Sequence, residues 1–278
     1  MSQPVNEIGV ALFALVLAGY FVASALYISS LAMRIPRLSE WGARVLVAAF
    51  VIHAVSLGAR WAESGHLPLV DLFEALSFYA WLTVLAYLAI EYRYHYRAFG
   101  AFVTPIVFLA VALASGVKKD TEPLIPVLNS GWLPVHVGIS FLAYTVFTVA
   151  FGIAVVYLIQ ERQLKSKKPH ALINRLPPLE TMERLGHNAI GIGFPFMTLS
   201  IATGAVWSEQ VWGTYWSWDP KETMALVTWL VYAAYFHFRD VVGWRGKRTA
   251  WLLVVGFASV LGTFLGANFF HSSLHNFI

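Results

Sequence analysis

An all-α bundle of membrane-spanning helices, about eight of them, is the fold class that this 278-residue sequence predicts. Three observations predict it. First, 58% of the residues are hydrophobic and only 12% are charged, about half the charged share of an ordinary soluble chain. Second, the apolar residues form continuous runs of about 20, long enough for a helix to cross a bilayer, and not the alternating ten-residue segments of a barrel. Third, Lys and Arg collect in alternate connections, as orientation in a membrane requires.

The expected spans follow in order. The first, 7–33, comes after "MSQPVNEIGV", which holds no Lys or Arg. Its apolar run is too long for a signal peptide, so a retained span is expected. The others fall at 41–59, 74–92, 98–116, 133–160, 186–206, 223–240 and 250–270. No repeat or long polar linker divides the chain, so 1–278 reads as a single membrane domain. One set of connections carries fifteen basic residues, among them Arg34, Arg93, Arg162, Lys165 and Arg245; the other carries Arg60, Lys118, Lys119 and Lys221. The basic set marks the cytoplasmic side. Both termini are then expected outside, on the periplasmic or lumenal face, with 207–222 an external loop and 161–185 a cytoplasmic one. The net charge of +4 belongs to this asymmetry and not to nucleic-acid binding. With no cysteine, the chain has no disulfide, thiol nucleophile or thiolate ligand, and redox or metal chemistry must use His, carboxylates or a bound cofactor.

The external loop reads "WGTYWSWDPKET" over 212–223. Trp212, Trp216 and Trp218 surround Tyr215, an Asp219-Pro220 pair stops the run, and Lys221 and Glu222 follow. Interfacial aromatic belts scatter their residues over many helix ends, so aromatics gathered in one loop point to a flat apolar ligand. His136 opens span five and His271 and His275 end span eight, all at the expected depth of this loop. His237 lies on the order of 22 Å lower on span seven, at 1.5 Å per residue. Two imidazoles on opposite faces of a porphyrin hold iron without sulfur, whereas zinc needs further ligands and outer carboxylates are few. Haem propionates need cations, for which Lys221 and Arg60 are candidates. His53, inside span two, either meets the cofactor or bonds a neighbouring helix. His187 caps or snorkels at the start of span six, and His66, His95 and His170 read as solvated loop residues. A cytochrome b-like electron carrier would need paired intramembrane histidines, yet only His53 and His237 lie in the membrane, at different depths. A purely structural subunit is the remaining alternative.

The tryptophan stretch resembles the WWD signature of haem-handling proteins of cytochrome c maturation. The blocks "GFPFMTLSIATGAVWSEQVWG" (193–213), "WLVYAAYFHFRDVVGWRGKR" (229–248) and "LGANFFHSSLHNF" (265–277) resemble the CcsA/ResC family of System II, and "PLVDLFEALSFYAW" (68–81) resembles its Glu-containing block. The resemblance covers the chain from about residue 68. It implies haem b at an outer site with His136 and His275 as axial ligands, and His271 and His53 in reserve. It also implies a second, transmembrane site using His237, whose other ligand comes from a partner, CcsB; within this chain His53 or His187 are the stand-ins. The tail departs from the family's frequent Leu-His-Ser-Tyr, reading Leu274-His275-Asn276-Phe277. Trp212, Tyr215, Trp216, Trp218, Asp219, Lys221 and Glu74 are the expected cofactor-contacting residues, and no catalytic acid or nucleophile is expected. Glu74 either orients the outer site or is a plain carboxylate at a helix N-terminus. The function implied is haem transport and, with CcsB, holocytochrome c synthase (cytochrome c haem lyase) activity. The substrate would be apocytochrome c bearing Cys-x-x-Cys-His, with a separate thiol reductant, at the plasma or thylakoid membrane. The alternative within the resemblance is CcmC-like delivery of haem to a chaperone; such proteins have about six spans.

Overall fold

A computed structural model describes residues 7–117, 130–166 and 176–269. These residues form eight α-helices and no strand, in a polytopic membrane bundle. The eight correspond one for one to the expected spans, and six of them are individually long and apolar enough to cross a membrane. The helices gather into two compact units, one of residues 1–125 and 170–176 and the other of residues 126–169 and 177–278.

Unit one contains α1 (Glu7–Met33), α2 (Pro36–Ser64), α3 (Leu72–Tyr94) and α4 (Gly100–Ser115). α1 packs on α2 and α4, and α3 packs on α4 and α2. Small residues allow this: a Cβ on Gly19 would stand 2.7 Å from that of Ala49, and one on Gly100 would stand 2.5 Å from the Tyr27 ring and the Tyr87 hydroxyl. Close backbone approach is how helices associate where lipid removes the hydrophobic drive. Pro36 occupies the first turn of α2, where its missing N–H is no loss, and Gly65, at φ 71°, closes that helix. Asp71 caps α3 by accepting from Glu74 N at 2.7 Å.

The buried ionisable groups His53 and Glu91 of this unit are both paired. His53, fully buried, bonds Tyr20 Oη through Nδ1 at 2.9 Å and Ser77 Oγ through Nε2 at 2.8 Å. Toward the other end of the same helices, Tyr27 and Tyr87 both donate to Glu91 Oε2 at 2.6 Å.

Unit two contains α5 (Trp132–Lys165), α6 (Leu179–Trp212), α7 (Pro220–Phe236) and α8 (Lys247–Phe269). α5 packs on α6 and α8, and α7 packs on α8. Their centre is a ring stack, Phe147 on Tyr232 with centroids 3.9 Å apart. Gly193 of α6 and Gly256 of α8 make room for it: a Cβ on either would lie 2.6 Å from one of the two rings. α7 passes into a wide turn, His237–Val241, closed by Val242 N–H on the His237 carbonyl. Arg239, nearly buried, leaves this turn to pair with Glu183 of α6 at 2.6 Å.

Candidate functional site

α6 continues through Trp207 to Trp212 and stops at Gly213, whose φ of 72° closes the last turn with its N–H on the Glu209 carbonyl. α7 starts at Pro220. The connection expected over 207–222 is therefore only 213–219, because a glycine in the left-handed region ends one helix and an Asp-Pro pair starts the next. Asp219 is 6% exposed and accepts from Lys221 N at 2.9 Å, and with Glu222 it forms a reciprocal capping box. Its carboxylate is thus committed to the backbone.

Glu222 does more than cap. Its Oε2 accepts from Ser217 N at 2.8 Å, Ser217 Oγ at 3.0 Å and Asp219 N at 3.3 Å. These donors lie on either side of Trp218, which sits at φ 60° with its side chain 69% exposed. A bulky residue in the left-handed region is strained by about 1–3 kcal/mol and persists where its surroundings over-determine it; the Glu222 carboxylate supplies that constraint. Trp216 meets Trp218 edge to face at 5.7 Å, and Trp212 meets Trp207 likewise at 5.1 Å. Tyr215 is 62% exposed.

Behind the loop lies a cavity of about 60 Å³, walled by His136, Tyr144, Gly204, Trp207, Trp216, Lys221, Glu222 and Thr263 among others. His136 stands in the first turns of α5, and its Nδ1 is 2.9 Å from the Ser200 carbonyl of α6. A carbonyl only accepts, so Nδ1 carries the proton and the neutral ring has its lone pair on Nε2. The ring lies parallel to Trp207, at an interplanar angle of 10° and 6.4 Å between centroids. The Trp216 indole N–H is buried with no hydrogen-bond partner among the described residues. Lys221 is held down to about pKa 8 by desolvation, with the Asp219 carboxylate opposing the shift.

A flat iron macrocycle fits this surface in part by chemistry and in part by shape. The tautomer of His136 suits a metal, the orphaned Trp216 N–H and the desolvated Lys221 suit a carboxylate, and the exposed faces of Tyr215 and Trp218 suit an apolar ring system. The cavity itself takes side-chain-sized groups and is far smaller than a tetrapyrrole.

Other expected residues fall elsewhere. His237 follows α7, exposed, with its ring edge on Phe238 at 5.6 Å. α7 places it on the order of 25 Å from Asp219 at 1.5 Å per residue. His187 of α6 faces Phe236 at 5.8 Å and Tyr235 at 6.1 Å, and its buried Nδ1 has no partner among the described residues. In unit one, Glu74 is 1% exposed and bonds Arg60 Nε at 2.9 Å and Val70 N at 3.0 Å. Arg60 also pairs with Asp71 at 3.0 Å. The Asp71 carboxyl is pushed up to about pKa 6 by desolvation and by the Glu74 charge, with Arg60 pulling it back. Arg60 is therefore already engaged by two carboxylates. His53 has both nitrogens occupied, the packing alternative that the sequence left open. His170, His271 and His275 lie outside the described residues.

Gly204, Ser200, Trp207 and Glu222 are site residues that sequence reasoning did not select. Asp-Pro-Lys-Glu carries the capping-box spacing that marks Glu222. No local signal marks Gly204, since its partner is His136 on another helix.

The family model described as Cytochrome C assembly protein matches residues 69–275. The chain is 38% identical to the cytochrome c biogenesis protein CcsA of Guillardia theta, over 85% of this chain and 84% of that one. It is 35% identical to CcsA of Porphyra purpurea, over 93% and 94% of the two chains. To CcsA of Microcystis aeruginosa it is 34% identical, over 87% and 89%. Among solved structures the cytochrome c haem lyase CcmF matches with a TM-score of 0.72 at 20% identity, covering 95% of this chain and 48% of that one. This chain thus spans about half of CcmF, and the likeness is one of fold.

Proposed function

Since the chain belongs to the cytochrome c assembly family, on its CcsA branch, we propose that it binds haem b at the aromatic loop of unit two and, with a CcsB-type partner, attaches it to apocytochrome c. The observation that carries this reading is the position of His136. Its tautomer is set by a backbone carbonyl, and it stands in one wall with a desolvated lysine and the root of an exposed tryptophan loop. Haem supplies the iron for axial ligation and the vinyl groups to which the substrate's two thiols add.

The chain's own residues position and exclude. His136, through Nε2, and His275 would hold the haem iron. The Trp218 and Tyr215 faces would cover the macrocycle, and Lys221 with the Trp216 N–H would receive a propionate. The substrate would bring its own histidine and its Cys-x-x-Cys thiols to haem held by these residues. No acid or base from this chain is required, since holding the reactants in register can remove a large part of a bimolecular barrier. The substrate thiols must be kept reduced by a separate protein, because this chain has no cysteine.

His237, at the far end of α7, is proposed as the ligand of a second haem site on the cytoplasmic side, from which haem moves outward. Both termini are proposed to lie outside, and the membrane is the plasma or thylakoid membrane. An absorption spectrum of the full chain, purified with and without its partner, tests the reading. A Soret band that weakens in His136→Ala and in a Trp216/Trp218 double alanine variant is expected. A wild-type complex purified from haem-sufficient cells without a Soret band would overturn it. Serial sites predict that His237→Ala loses haem altogether, whereas His136→Ala still takes haem in but fails to mature cytochrome.

A further inference from the structure

We infer that Gly204 is a positioning residue for the His136 ligand: its missing side chain is the slot that holds the imidazole, turned so that Nδ1 faces the Ser200 carbonyl and Nε2 carries the lone pair. This rests on the haem reading above for its purpose, and on geometry alone for its existence. A Cβ on Gly204 would lie 2.8 Å from His136 Cε1, 3.0 Å from Nδ1 and 3.5 Å from Nε2. Non-bonded carbon atoms settle at about 3.5–4.0 Å, so an alanine would have to move the ring.

Three residues of α6 together define the slot. Ser200, one turn before Gly204, provides the acceptor carbonyl at 2.9 Å. That carbonyl also accepts from Thr203 Oγ1, at the longer distance of 3.2 Å. Gly204 provides the gap. Trp207, one turn further on, provides a wall parallel to the ring. Spacings of four and three residues place all three on one face of the helix. The opposing helix is fixed in register by Ser140, whose hydroxyl donates to the His136 carbonyl at 2.7 Å and lies 2.6 Å from the Ser200 hydroxyl. Thr203 Oγ1 is only at the margin of contact with Nδ1, at 3.5 Å, and is closest to the Leu199 carbonyl, its acceptor at 2.8 Å. The carbonyl and the slot, and not Thr203, therefore set the ring.

The slot also explains why glycine is needed here and not throughout the helix. A Cβ on Gly191 of α6, or on Gly138 of α5, meets nothing within 4 Å. Glycine in a helix interior costs about 1 kcal/mol relative to alanine, and at Gly204 the ring in the slot offsets that cost.

The test uses the full chain co-expressed with its partner. Gly204→Ala is expected to lower haem affinity at the outer site by about 10–100-fold, the range for losing the group that orients a metal-bound histidine. Millimolar free imidazole should restore the wild-type spectrum, because the iron lacks only a ligand. Gly191→Ala should leave the spectrum unchanged. The decisive variant is the double one: His136→Ala empties the slot, so Gly204→Ala added to it should cause no further loss of haem or stability. Additive losses, or a Gly204→Ala protein that loses haem and is not rescued by imidazole, would overturn the inference and leave Gly204 as a packing residue. If Gly204→Ala alone fails to fold, recovery of folding in the double variant supports the slot, and failure of both overturns it. Should the wild-type complex carry no haem, the proposed function fails but the slot is still read directly. In the haem-free chain, Gly204→Ala should raise the rate at which diethyl pyrocarbonate labels His136 several-fold, measured by peptide mass spectrometry. An unchanged rate would overturn the slot itself.

Discussion

His53 in unit one is fully buried, with one ring nitrogen on the Tyr20 hydroxyl and the other on that of Ser77. His136 in unit two gives Nδ1 to a backbone carbonyl and lies along the wall of a cavity beside Lys221 and the tryptophan loop. By sequence His53 lies inside a span and His136 at the outer start of one, and both are candidate ligands. The difference teaches that burial alone does not mark a ligand; what each nitrogen is committed to does. Two hydroxyl partners tie three helices of unit one together through an imidazole. The carbonyl at His136 Nδ1 fixes a tautomer in which Nε2 carries the lone pair that a metal requires.

The same contrast holds for the carboxylates. Glu74 spends its two oxygens on Arg60 and the Val70 N–H, inside its own unit. Glu222 spends one oxygen on three donors around an exposed tryptophan. One stabilises a helix start, and the other also shapes a surface.

The comparison breaks most sharply at the two histidines. His136→Ala should abolish stable haem retention at the outer site, recoverable with free imidazole. His53→Leu should leave the haem spectrum intact and destabilise the protein by about 1–3 kcal/mol, since the Tyr20 and Ser77 hydroxyls lose a buried partner. Thermal unfolding in detergent and the Soret absorbance separate the two effects. A His53→Leu chain that unfolds normally but loses haem would reverse the assignment.

Lys221 gives the next largest effect, and its sign is fixed by its lowered pKa of about 8. A carboxylate bound beside it favours the ammonium, so binding takes up a proton whenever the free lysine is neutral. Haem affinity should therefore be flat below about pH 8 and fall by up to about tenfold per pH unit above it. Lys221→Arg should remove that fall, because a guanidinium stays charged throughout. The stability of the haem-free chain should move the opposite way. The unfolded lysine keeps its proton to near pH 10.5, so stability rises between about pH 8 and 10.5.

Glu222→Ala sharpens the contrast between the two carboxylates. Loss of the capping partner and of the constraint on Trp218 should cost about 1 kcal/mol, or about fivefold in haem retention, with the bundle still folded. Glu74→Gln should lower the stability of unit one and leave the outer-site spectrum alone, because it breaks a nearly buried ion pair with Arg60. Normal stability with loss of haem in Glu74→Gln would instead tie that residue to the site. The smallest effect belongs to single alanines at Trp216 or Trp218, about 0.5–1.5 kcal/mol each beyond the area they bury.

The sequence by itself determined the eight helices, the helix class and the place of the aromatic loop. Hydropathy runs, Pro36 and Pro220 at helix starts, and Gly65 and Gly213 at helix ends act through neighbours within a few residues, so their effect is written locally. The Asp219–Glu222 box was legible in the same way, although the Asp-Pro pair reads first as the end of a run rather than the start of a helix. Tertiary structure alone decided which histidine is committed and which is presented. His53 and Ser77 are brought together by helix packing, and so are His136 and Gly204, and the contact depends on an absent Cβ that no local pattern announces. A helix period says which face a residue is on; only the packed neighbour says whether that face holds a hydroxyl, a carbonyl or a gap.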